Sequence, residues 1–191
     1  MRVRLVNLNA PTKQDQRRVR LRDERWERAD KLVWSRQVED GFVTIPRTLP
    51  LIATLIKRLS EKGADGSRVY LDLWGRVFDQ GLVEVNDEKE FALCAGVADN
   101  TRTIRAWQER MRELEELGFI ITAPSASRKY GFVLLLHPHA VVHLIHQDNP
   151  HRIPGWWLDL YRDRVDKIGA KMPDMAEFAQ IVSKARARKA S

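Results

Sequence analysis

Apolar residues recur three and four apart along several windows of the chain and gather into short aliphatic runs in others, a pattern that predicts helices with a small sheet. The clearest window is 101–117, TRTIRAWQERMRELEEL, which contains no Gly or Pro. Ile104, Trp107, Met111, Leu114 and Leu117 share one helical stripe, expected to be buried. Asp99, Asn100 and Thr101 are N-cap candidates, and Gly118 stands where a left-handed residue ends a helix. The outward residues are then Arg102, Arg105, Ala106, Glu109 and Glu113, with Arg112 at the flank: basic in the first turns, acidic in the last.

Residues 88–100, EKEFALCAGVADN, supply a shorter helix with Phe91, Ala92, Leu93, Ala95 and Val97 apolar or small and Gly96 placed to end it. Further upstream, 49–59 (LPLIATLIKRL) predicts a largely buried helix. Residues 67–78 (SRVYLDLWGRVF) predict another, although Gly75 costs on the order of 1 kcal/mol against alanine there. Strands are expected at 82–85, 119–122 and 130–136, with 124–129 (PSASRK) as the loop of a hairpin.

Two helices joined by a short turn, the second amphipathic, meet the description of a helix-turn-helix. A recognition helix reads bases with its N-terminal residues, so Arg102 and Arg105 can bond guanine or phosphate, and Asn100 or Thr101 can contact base edges or backbone. Glu109 and Arg112 lie further along the same side. Ser127, Arg128 and Lys129 form the tip or root of a basic wing able to touch phosphate or the minor groove. For Arg102 and Arg105 the competing account is a solvated helix face, and for Arg128 and Lys129 a loop kept soluble by charge.

The run GVADNTRTIRAWQERMRELEELGFI resembles the turn, recognition helix and following strand of bacterial winged-helix DNA-binding proteins. In these a Gly-Val turn precedes a Thr-Ile or Thr-Val pair and the helix closes with Leu-Glu-x-x-Gly-Phe-Ile. The likeness covers about 50 residues, and with the helices before it about 100 of the 191. It implies sequence-specific binding of double-stranded DNA by a transcriptional regulator or by a replication or maintenance factor of a plasmid or other mobile element. Winged helices also serve as protein interaction modules. That alternative would use the aromatic C-terminal segment.

Charge agrees with an acidic polymer as partner: 33 Lys and Arg against 26 Asp and Glu give +7. The cations crowd the ends, with Arg2, Arg4, Lys13, Arg17, Arg18, Arg20 and Arg22 at one and Lys184, Arg186, Arg188 and Lys189 at the other. They read as basic arms following phosphates, or around residues 17–28 as a helix laced with ion pairs.

Other chemistry is sparse. His139, His143 and His146 are spaced four and three apart, which would let two share a metal, but no Glu stands between them as in a zinc hydrolase. No metal, cofactor or enzymatic activity is expected. One cysteine excludes an intrachain disulfide framework and a multi-thiolate zinc site; in its apolar run Cys94 reads as a small core residue. No window of about 18 apolar residues predicts a membrane span. The first 18 residues lack an apolar run followed by a cleavage site, so a cytoplasmic protein is expected. Residues 155–188 carry Trp156, Leu160 and Val165 beside Trp157, Tyr161 and Ile168, an apolar face that must pack back on the domain or against a second copy. A homodimer through residues 155–183 is the expectation.

The fold expected is mainly α with a small antiparallel β-hairpin or sheet, an α+β fold. It consists of a basic N-terminal arm or helix over 1–40, a winged helix-turn-helix domain over 41–147 and a C-terminal helical extension with a basic tail over 148–191.

Overall fold

In the computed structural model, which describes residues 12–26, 28–33, 41–77, 80–125 and 128–190, the chain divides into two compact units, 1–42 and 43–191. The first holds helix α1 (Lys13–Asp23) and a 3-10 turn at Ala29–Lys31. Thr12 opens α1 through a capping box, its hydroxyl accepting the Asp15 N–H while the Asp15 carboxylate accepts the Thr12 N–H. Arg22 pairs with Asp23 at 2.7 Å. Residues 17–23 of the expected ion-paired segment 17–28 are thus helical, and Arg2 and Arg4 lie outside the described residues.

The second unit is mainly helical around a three-stranded antiparallel sheet, an α+β arrangement. Helices α2 (Leu49–Leu59) and α3 (Ser67–Arg76) come first, then β1 (Leu82–Glu84), α4 (Glu88–Cys94) and α5 (Thr103–Glu116). The hairpin β2 (Ile120–Ser125) and β3 (Arg128–Leu135) follows, and α6 (Pro138–Asp148), α7 (Gly155–Ile168) and α8 (Met175–Ala190) close the chain. The sheet order is β1-β3-β2, with Val83 opposite Val133 and Thr122 opposite Val133 on its other side.

One apolar core joins all of these elements. Leu49, Ile52, Leu55 and Ile56 of α2 meet Val69, Tyr70 and Leu73 of α3, Trp107, Met111 and Leu114 of α5, and Phe119, Ile120 and Val133 around the sheet. Trp107 sets the angle between layers: its ring meets Phe91 of α4 edge-on at 6.2 Å and Tyr130 of β3 at 5.8 Å.

The C-terminal segment splits the expected apolar face. Trp157, Leu158 and Tyr161 are buried on the domain, and the Trp157 indole donates to Thr54 of α2 at 3.2 Å. Trp156 and Leu160 stay 64% and 50% exposed. Asp174 caps α8 by accepting the Ala176 and Glu177 N–H groups, and Val182 buries itself in the core. The expected basic tail is thus the end of a helix, and Arg186 donates to the Glu115 carbonyl at 3.4 Å.

Candidate nucleic-acid interface

The outward surface is set by how α4 and α5 are locked together. Asp87 caps α4 by accepting the Lys89 and Glu90 N–H groups at 2.8 and 3.3 Å. At its other end Gly96, at φ +76°, closes a Schellman turn: its N–H reaches the Leu93 carbonyl and that of Val97 the Ala92 carbonyl. From α3, Arg76 bonds both oxygens of Glu90 (3.0 and 2.9 Å) and Asp72 (2.9 Å) and lies 3.9 Å over the Phe91 ring. Arg76 holds the Glu90 carboxyl below its ordinary range, while burial raises that of Asp72. Gln108 of α5 donates to Glu88 at 2.7 Å.

Thr103 decides which way α5 turns. It is buried, its hydroxyl lies 2.7 Å from the carbonyls of Ala98 and Asn100, and it accepts the Asn100 N–H at 2.8 Å. Accepting one backbone N–H and giving its one proton to either carbonyl, the hydroxyl stays bonded, which lets a polar side chain occupy the inward position. The buried stripe is therefore Thr103, Trp107, Met111 and Leu114, and two expectations are corrected. Ile104, expected in the core, is 43% exposed. Glu113, expected to face outward, is buried, and burial raises its pKa, with the nearby Glu61 backbone acting the other way. The helix begins at Thr103, two residues later than expected, after Arg102 as an N-cap that makes no side-chain bond.

Cys94 is corrected as well. On a seven-residue helix only Phe91 and Ala92 turn inward, so Leu93 and Cys94 are exposed. The thiol donates to Glu90 at 3.3 Å, and this bond, with some burial, raises its pKa.

Thr101, Arg102, Arg105 and Arg112 are all exposed, and Glu109 is half-buried. Arg105 is 82% exposed and touches Glu109 at 3.1 Å; Arg112 touches Glu116 at 3.6 Å. Exposed pairs at this spacing hold weakly, so either guanidinium can trade its carboxylate for a phosphate or a base edge. Asn100 is partly committed, since its Oδ1 accepts the Arg102 N–H at 2.8 Å and so shapes the turn.

After α5 the chain reverses through a second Schellman turn, with Gly118 at φ +87°, its N–H on the Glu115 carbonyl and that of Phe119 on the Leu114 carbonyl. Glu115 accepts from both the backbone and the hydroxyl of Thr122, fixing β2 against the helix end. The strands run further than expected: β2 reaches Ser125 and β3 begins at Arg128, so 124–125 and 128–129 of the expected loop belong to strands. A register shift between Ala123 and Ser125 absorbs the irregularity, and Gly131 faces Ser125 so closely that a Cβ would collide with its side chain and backbone. Arg128 is half-buried and donates to the Asn86 carbonyl at 3.0 Å, which ties the tip end of the hairpin to the segment after β1. Lys129 is exposed, its amine 5.1 Å from the Tyr130 ring centre. Ser127 lies outside the described residues.

The histidines scatter. His139 is buried between the Tyr161 hydroxyl at 2.6 Å and the Thr48 hydroxyl at 3.4 Å, whereas His143 is exposed. His137 accepts the Ala140 N–H as the cap of α6. His137 and His139 line an open cleft of about 600 Å³ with Trp74, Ile168 and Lys171. Among the described residues no three His, Cys, Asp or Glu side chains converge on a common point, and no helix there is long and apolar enough to cross a membrane.

The geometry defines a mainly helical α+β protein with an exposed cationic helix start beside a β-hairpin. Comparison with protein families, with curated proteins and with solved structures finds no match.

Proposed function

We propose that the chain is a winged helix-turn-helix protein that binds double-stranded DNA with sequence preference and carries out no chemistry on it. It would act as a transcriptional regulator or as a replication or maintenance factor of a plasmid or other mobile element. In this reading α4 and α5 are the helix-turn-helix, and the β2–β3 hairpin is the wing. The observation that carries it is the exposed face of α5 and of the turn before it, where Thr101, Arg102, Arg105 and Arg112 stand clear of the core on an element braced from behind by Thr103 and Trp107. The positive end of the helix dipole adds to the attraction for phosphate. Arg105 and Arg112 take bases or phosphates in exchange for their glutamates, with Glu109 holding Arg105 extended until then. Lys129 grips the flanking backbone, and Arg128 steadies the tip end of the wing through Asn86.

The test is a footprint and an affinity measurement on a duplex selected by the protein. Arg105→Ala and Arg112→Ala are expected to weaken binding while the melting temperature stays put; unchanged binding in the double variant would remove α5 from the interface.

A second reading is favoured by one observation: Trp156 and Leu160, one helical turn apart on α7, are exposed although their neighbours Trp157 and Tyr161 are buried. That pair suits a protein partner, either a second copy through residues 155–183 or another protein recruited by an interaction module. Sedimentation of wild type and Trp156→Ala tests the dimer.

A further inference from the structure

The first turn of α5 presents an aliphatic side chain to solvent beside its cations. Thr103 takes the inward position, and Ile104 is left 43% exposed. Helical spacing puts residues 104, 105, 108 and 112 of α5 on adjoining rows of one surface. Arg105 and Arg112 are exposed there and Gln108 half-buried. A β-branched apolar group thus stands beside the Arg105 guanidinium, with Arg112 two turns further along, on the turn of the helix that enters the major groove if the protein binds as proposed. Among the groups that base pairs offer in that groove, the thymine C5-methyl is the apolar one; cytosine offers an amino donor, which an isoleucine would strip of water without replacing its hydrogen bond.

We propose that Ile104 reads thymine, packing its side chain on the 5-methyl group in the major groove next to the Arg105 contact. This rests on the DNA-binding reading above and deepens it, from attraction to duplex to the identity of a base. Arginine contacts alone would favour guanine or phosphate; the isoleucine makes the preferred site one with thymine beside those contacts.

Uracil carries the same hydrogen-bonding edge as thymine without the methyl, so exchanging one for the other isolates the apolar contact. The full chain is used to select a site from a random duplex library, and each thymine of that site is then replaced in turn by deoxyuridine. At one or more positions the wild type is expected to lose roughly fourfold in affinity, the effect of one methyl-sized contact. Ile104→Ala is expected to bind the thymine and uracil duplexes equally. The uracil series needs no variant, so it reports even if Ile104→Ala proves unstable. A selected site indifferent to uracil at every position overturns the inference and leaves DNA binding standing. Full uracil sensitivity in Ile104→Ala assigns the methyl contact to another residue and also overturns it. Failure to enrich any duplex overturns the DNA-binding reading, and the inference with it.

Discussion

At Arg105 the guanidinium is 82% exposed and touches a single carboxylate, so truncation to alanine removes charge with almost no packing. Its expected signature is weaker duplex binding, a salt dependence shallower by about one phosphate contact, and a stability within about 0.5 kcal/mol of wild type. Trp107 is the opposite case. Fully buried between Phe91 and Tyr130, it is expected to cost about 3–5 kcal/mol on replacement by alanine, read by denaturant unfolding. His139 adds a pH dependence. Burial, with the His137 ring contributing, holds its pKa below the ordinary 6.5, so the folded state keeps the ring neutral while the unfolded chain takes up a proton near 6.5. Its contribution to stability is therefore complete above that pH and is lost as pH falls from there toward the depressed folded value. The melting temperature is expected to drop across this range, and His139→Gln is expected to flatten the dependence; an equally steep curve in the variant would assign it to other groups.

Among the elements, the turn after α5 is the most exacting. Gly118 has φ +87°, and a Cβ there would stand 2.8 Å from Arg186, so Gly118→Ala is expected to destabilise by about 1–2 kcal/mol, measured by thermal melting. Such stops were legible in the sequence, and so was α2, whose amphipathic run matches 49–59 residue for residue. The register of α5 was not, because periodicity ranks Ile104 above Thr103 for the core and cannot foresee a threonine whose hydroxyl both accepts from and donates to the backbone of the preceding turn. Glu113 escaped because its surroundings, which include the Glu61 backbone and Arg152, are remote in sequence. The composition of PSASRK hides a strand because a bulge opposite Gly131 lets Pro and Ser continue the hairpin. For the candidate site, the exposed cations Arg102, Arg105, Arg112 and Lys129 could be named from helical spacing and the basic hairpin, while the anchoring of Arg128 to Asn86 depends on a contact 42 residues away.

On the scale of the whole molecule, the apolar core formed by the described residues runs from Leu49 to Val182. Residues 43–191 alone are therefore expected to melt as one cooperative unit. Residues 1–42 carry eleven Lys and Arg against seven Asp and Glu, four of the seven net charges. Their removal is expected to lower DNA affinity uniformly across sequences and to flatten its salt dependence, as cations that follow phosphates do. The central claim is that α5 reads duplex DNA, and fluorescence anisotropy of the full chain on a selected and a scrambled duplex across a salt series tests it most directly. The account predicts that both affinities fall with salt while the selected duplex stays favoured at physiological ionic strength, and that Arg102→Ala/Arg105→Ala abolishes the difference. Equal affinities that vanish together as salt rises, or a preference untouched by the double variant, would contradict it.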